Sequence, residues 1–161
     1  MSEGNEGNIY LSKRDVRDIL PHRWPWLLID EAIHSEEKTW TIKKLSFFDL
    51  LLMGHFPGNR VMPGVVSLEC LNQVAAICAR MKFPDISGLP FSTGLDGIKF
   101  RTPARPGDSI KITVKLTKAR HPFYYFSGKV TSIDGIIIAE VKEIKGCAAE
   151  EKAYALNESI A

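Results

Sequence analysis

The spacing of apolar and polar residues divides the chain into a short opening stretch, a two-strand unit, one long apolar helix and a second group of strands. Residues 1–8 lack apolar periodicity and are expected to form a mobile tail. Ser12, with Asp15 three positions on and Pro21 beyond, predicts a short capped helix. The runs 26–33 and 39–47 are rich in β-branched and aromatic residues and read as a hairpin joined through Ser35-Glu36-Glu37-Lys38. In 48–63, Gly54, Pro57, Gly58 and Pro63 interrupt any regular pattern, and a loop of that length in a compact domain usually carries function. Residues 64–81 contain no breaker after Gly64 and are apolar around most of the helical circumference, which predicts a core helix about 27 Å long. Its polar residues Glu69, Asn72, Gln73 and Arg80 fall on one narrow stripe. Four strands follow at about 91–102, 109–119, 122–133 and 136–146, expected as an antiparallel meander. Pro106-Gly107 joins the first pair, and Asp134-Gly135 suits a two-residue type I′ turn in the last.

A single helix that is apolar on most sides, accompanied by about six strands, is buried only if the sheet curls around it. The expectation is an α+β chain of hot-dog architecture, an antiparallel sheet wrapped around one long central helix. At 161 residues, 45% hydrophobic and 25% charged, the chain has room for one domain, placed at 9–147 with a C-terminal tail at 148–161. No run of 18 apolar residues occurs and the first residues are acidic and Gly-rich, so a soluble cytoplasmic protein is expected. Cys70, Cys78 and Cys147 suggest neither a disulfide framework nor a metal site. The net charge of +2 hides acidic ends: Glu3, Glu6, Glu150, Glu151 and Glu158 lie in the tails, leaving the body with a net +6. That excess suits an acidic macromolecular partner and equally suits an ordinary solvated surface.

Three places carry candidate chemistry. His55 lies in GHFPGNRVMPG, where glycines and prolines set the backbone, and an imidazole with an ordinary pKa near 6.5 is suited to general-base work. A structural histidine tied to its own loop is the plainer alternative. Glu69 is the only acid of the long helix; periodicity favours a solvated position on the polar stripe, whereas burial would raise its pKa and make it a proton donor near neutrality. Pro63-Gly64 opens the helix with exposed amides and the positive end of the dipole, a seat for a ligand oxygen or simply a tight turn. His22 reads as structural, while His34 and His121 fall in expected turns, and no metal spacing is present. Nucleotide-binding glycine motifs and the GxSxG and HExxH signatures are absent. The aromatics Trp24, Trp26, Phe91, Phe123, Tyr124 and Phe126 read as core packing before nucleic-acid stacking.

Three segments, LPHRWPWLLID at 20–30, GHFPGNRVMPGVVSLECLNQ at 54–73 and GLDGIKFRTPARPGD at 94–108, together resemble the bacterial β-hydroxyacyl-acyl-carrier-protein dehydratases. The resemblance runs from about residue 12 to residue 147. It implies a hot-dog fold, homodimers that join sheets and in part of the family form trimers of dimers, and no cofactor. His55 and Glu69 are implied as catalytic residues, one from each subunit in every site. It further implies that the Val61 carbonyl orients His55, that the Gly64 N–H polarises the thioester carbonyl, and that Gln73 supports Glu69. Glutamate at 69 resembles the general dehydratase branch, not the dehydratase-isomerase branch, which has aspartate there.

Arg60 and Leu50 stand where the family usually has proline, Phe91 lies near the position of a tunnel-gating tyrosine, and Gly97 follows Asp96 where a charge is common. These departures bear on acyl length and shape. They leave open primary fatty-acid synthesis and a specialised polyketide or polyene pathway. The implied reaction removes water from a (3R)-3-hydroxyacyl thioester on a phosphopantetheine arm, with Lys99, Arg101, Arg105 and Arg120 as candidates for docking the acidic carrier protein. A hot-dog thioesterase and a noncatalytic carrier-binding subunit are the rival readings.

Overall fold

In the computed structural model the described residues are 7–149. They form β1 (Ile9–Leu11), α1 (Lys13–Ile19), β2 (Ala32–His34), β3 (Thr39–Lys44), α2 (Leu50–Met53), α3 (Gly64–Lys82), β4 (Leu89–Asp96), β5 (Lys99–Phe100), β6 (Ser109–Arg120), β7 (Phe123–Ser132) and β8 (Ile137–Ala149). Of the tails expected at 1–8 and 148–161, residues 1–6 and 150–161 lie outside the described residues, whereas 148 and 149 end β8.

Local chemistry sets the first elements as expected. The Asp15 amide donates to Ser12 Oγ at 3.4 Å and the Ser12 amide to Asp15 Oδ2 at 2.8 Å, a reciprocal capping box that opens α1. The strand expected at 26–33 is mostly absent: only Ala32–His34 pairs with β3. The physical reason is that backbone groups of 26–28 are taken by side chains and a turn. The Leu28 amide donates to Gln73 Oε1 at 3.0 Å, its carbonyl accepts from Lys43 Nζ at 3.1 Å, and the Trp26 and Leu27 amides turn back to the Arg23 carbonyl.

Eight strands form one antiparallel sheet in the order β1-β2-β3-β6-β7-β8-β4, with β5 also on β8. The count exceeds the expected six because β1 is three residues long and the run at 91–102 splits into β4 and β5. The expected four-stranded meander is also corrected. Only β6, β7 and β8 follow one another, and β4 pairs with β8 from Leu89↔Ala149 to Asp96↔Glu143. Pro106-Gly107 therefore joins elements that are not neighbours, because the free edge of β6 is occupied by β3 along Thr39–Lys44. The turn between β7 and β8 is likewise not type I′: Gly135 has φ +89° but Asp134 does not have positive φ. Its Gly135 amide donates to Ser132 O and its Ser132 amide to Ile136 O, the pattern of a three-residue loop with glycine at the left-handed position.

The curled sheet encloses α3. Val66, Cys70, Leu71, Val74, Ile77 and Cys78 are buried on the helix, facing buried side chains of β6, β7 and β8. These helical positions, with Ser67, Gln73 and Ala75, span an arc of about 200° at 100° per residue. Approach is close at Gly128 beside the β7 bulge, where a Cβ would lie 2.8 Å from Leu71 Cδ2 and 3.2 Å from Ile144 Cδ1.

Gly128→Ala is expected to destabilise the fold by about 1–3 kcal/mol through overpacking, read as a shift in denaturant midpoint with unchanged slope. A second expectation concerns His34, buried in β2 with Nδ1 2.7 Å from Thr39 Oγ1. Burial first, and the Lys82 charge second, hold its pKa below the usual value. The unfolded chain thus binds this proton more readily, so the stability His34 contributes is present above about pH 6.5 and declines as pH falls below it. His34→Gln should flatten the fall of melting temperature between about pH 7 and pH 5.

Candidate active site

The loop bearing His55 is fixed by reciprocal hydrogen bonds. The Val61 amide donates to the His55 carbonyl at 2.7 Å, and His55 Nδ1 lies 3.0 Å from the Val61 carbonyl. A carbonyl only accepts, so Nδ1 carries the hydrogen in the neutral ring and Nε2 is left with its lone pair. Outside the loop, the Met62 amide donates to Ala104 O, Arg105 Nη1 to Asn59 Oδ1, and Arg60 Nη1 to Phe47 O. Arg60, the departure from the usual proline, is thus a tie between this loop and the segment before α2. The Phe56 ring stacks on the imidazole with centroids 4.2 Å apart.

Glu69 lies one and a half turns into α3, and the structure corrects its expected solvated position: the side chain is 19% exposed and lines a cavity of about 110 Å³. Gln73 is fully buried and donates through Nε2 to Glu69 Oε1 at 2.8 Å and to Trp26 O at 2.7 Å. Its Oε1 accepts from Leu28, so every part of the carboxamide is used. His22, read from sequence as structural, stands with Nε2 3.4 Å from the same Glu69 Oε1 and lines the same cavity. Only its place in the LPHRWPW segment hinted at a role, since nothing in spacing connects residue 22 to residue 69. Both partners engage Oε1, leaving Oε2 of the carboxyl for a ligand.

The cavity runs along α3 past Asn72, Gln73, Ala76 and Ala79 to Arg80. The polar stripe seen in the sequence is therefore largely a cavity wall. Phe91 of β4 also lines the cavity. His55 is not among the residues that line this cavity. At the start of α3, a Cβ on Gly64 would lie 2.7 Å from the Phe100 ring, so a larger residue there would have to displace that exposed aromatic side chain. The first amides of the helix have no intrahelical acceptor.

The four basic residues proposed for docking lie on β5, in the segment that follows it and at the end of β6. Lys99 is exposed on β5, Arg101 is paired to Glu140 at 2.8 Å, and Arg105 is tied to the His55 loop. Arg120 ends β6, some 36 Å of strand beyond its start at Ser109. The cysteines are free thiols; burial pushes Cys70 up to about 12 and raises Cys78, while Cys147 lines the cavity. Among the described residues no group of three His, Cys, Asp or Glu side chains converges for a metal, and no helix is long and apolar enough to cross a membrane.

A long helix enclosed by one antiparallel sheet defines the hot-dog class. The fold of the dehydratase heterocomplex ApeI:P from Xenorhabdus doucetiae is similar, with a TM-score of 0.72 at 17% identity over 85% of this chain and 92% of that one. The ApeI-like family, described as ApeI dehydratase, matches residues 32–135. The 3-hydroxyacyl-[acyl-carrier-protein] dehydratase FabZ of Thermomicrobium roseum is 38% identical over 78% of this chain and 85% of its own length. FabZ of Bacillus cytotoxicus is 38% identical over 82% and 92%. The chain belongs to the 3-hydroxyacyl-acyl-carrier-protein dehydratase family.

Gln73→Met keeps length and removes every polar atom, leaving the Leu28 amide and the Trp26 carbonyl without their partner. It is expected to cost at least about 2 kcal/mol of stability, measured by chemical unfolding, since each buried group left unpaired costs roughly 1–3 kcal/mol.

Proposed function

We propose that the chain removes water from (3R)-3-hydroxyacyl thioesters held on the phosphopantetheine arm of an acyl carrier protein, giving the trans-2-enoyl thioester. The observation that carries this reading is the Glu69 carboxyl, held through Oε1 by Gln73 and His22 with Oε2 left for a substrate. His55 Nε2, bare because Nδ1 is committed to Val61, takes the C2 proton. The C2–H electrons form the C2=C3 bond as the C3–O bond breaks, and Glu69 delivers the proton with which the hydroxyl departs as water. The Gly64 amide meets the charge gathering on the thioester oxygen, a contribution on the scale of about 3–4 kcal/mol per donor. No metal or nucleotide takes part, and the protein acts in the cytoplasm.

The active unit is a homodimer in which each site joins His55 of one subunit to Glu69 of the other. The segment around His55 supports an interface there, because Phe47, Phe48, Leu50, Met53, Phe56 and Val65 are all exposed. The carrier approaches through Lys99 and Arg105, the latter beside the His55 loop, with Arg101 and Arg120 in lesser roles. Phe91 shapes the acyl cavity.

Mass spectrometry of 3-hydroxyacyl carrier proteins incubated with the purified chain should show loss of one water; release of a free thiol would instead favour the thioesterase. His55→Ala and Glu69→Gln homodimers should each be inactive. Refolded together in equal amounts, they should regain about a quarter of wild-type activity, because half the dimers are mixed and each mixed dimer has one of its two sites intact. Proven subunit exchange without recovery would show that the two residues do not act across the dimer.

A further inference from the structure

Among the described residues, two buried side-chain nitrogen or oxygen atoms have no hydrogen-bond partner, His22 Nδ1 and Asn72 Oδ1. Both residues line the cavity that holds Glu69. Buried polar atoms are nearly always paired, so one left without a protein partner beside a cavity is completed by a water or by a ligand group that displaces it. His22 already reaches Glu69 through Nε2 and belongs to the catalytic end. Asn72 is different. It lies three residues further along α3, about 4.5 Å deeper along the axis, where the neighbouring lining residues include Ala75, Ala76, Ala79, Phe91 and Phe126. Arg80, beyond it, is committed: its guanidinium donates to the carbonyls of Ile86 and Gly88, so it ties down the end of the cavity. Asn72 therefore carries the uncommitted polar group of an otherwise largely apolar channel.

We propose that Asn72 forms a subsite for a second hydroxyl on the acyl chain, so that the preferred substrates carry oxygen beyond C3 as well as on it. This rests on the dehydratase reading above, which places C3 at Glu69. An extended chain advances about 1.2 Å per bond, so a group about 4.5 Å beyond C3 lies near C7. That carbon bears oxygen in acyl chains built from two-carbon units whose earlier keto groups were reduced but not eliminated. A hydroxyl donates to the Asn72 carboxamide oxygen. A plain alkyl chain instead seals that oxygen away from water without a partner, the arrangement by which a polar subsite rejects an analogue lacking the matching group.

The test compares hydrolytically inert decanoyl, 5-hydroxydecanoyl and 7-hydroxydecanoyl pantetheine amides, titrated calorimetrically against the full-length wild type and Asn72→Leu. Because Asn72 Oδ1 bonds nothing in the protein, the variant should keep the wild-type melting temperature. Asn72→Ala provides the same comparison if the leucine perturbs packing. At least one hydroxylated chain should gain about tenfold or more in affinity relative to decanoyl in the wild type, and that gain should vanish in the variant. Equal affinity ratios in wild type and variant would overturn the subsite. Turnover of the corresponding 3-hydroxy and 3,7-dihydroxy thioesters separates the two readings. A binding preference without dehydration of any chain would sink the dehydratase reading and leave the subsite standing, whereas dehydration with no difference between the chains in either assay would do the reverse.

Discussion

The carboxamide of Gln73 is the point on which the site depends. It lies inside the protein with both its oxygen and its nitrogen engaged, holding the Trp26 carbonyl, the Leu28 amide and Glu69 Oε1. One side chain thereby fixes the path of an irregular segment, joins that segment to the central helix and orients the only carboxyl of that helix. A buried amide is worth having only when all of it is paired, and a network of this kind is rigid because each bond limits the others. His22 enters the site through the same segment, so its distance from Glu69 is set indirectly by Gln73.

His55 is held by a different device. Its loop is closed on itself by Val61 and secured to the body by Arg60, Arg105 and the Met62 amide, so the ring direction is set by backbone and guanidinium contacts, not by core packing. The helix supplies an acid whose surroundings exclude much of the solvent, and the loop supplies a ring with one bare nitrogen. Each supplies half of the proposed chemistry, and the exposed apolar residues near His55 give the loop a reason to meet a second copy.

The sheet order explains how the cavity arises. With β4 on the outer edge of β8 instead of beside β6, Pro90, Phe91 and Ser92 come to face the part of α3 that β6 does not cover. The helix is buried over about 200° of arc, and the remaining polar stripe borders the cavity and the segment around Trp26.

Much of this was legible along the chain. The capping pair Ser12 and Asp15, the uninterrupted helix from Gly64 and the strands from Ser109 onward follow from local rules, because hydrogen bonds within a turn and a regular apolar period are properties of neighbouring residues. The family resemblance implied a role for the Val61 carbonyl, which lies 3.0 Å from His55 Nδ1. The strand mistaken at 26–31, the pairing of β4 and the burial of Glu69 were decided elsewhere. Leu28 abandons a ladder because Gln73 and Lys43, 45 and 15 residues away, take its backbone groups. Glu69 is largely enclosed in a cavity that β4 helps to line, and His22 reaches it because an irregular segment folds back. A helical stripe of Glu69, Asn72, Gln73 and Arg80 reads the same whether water or a cavity faces it, since periodicity records which residues share a face and only tertiary packing decides what that face meets.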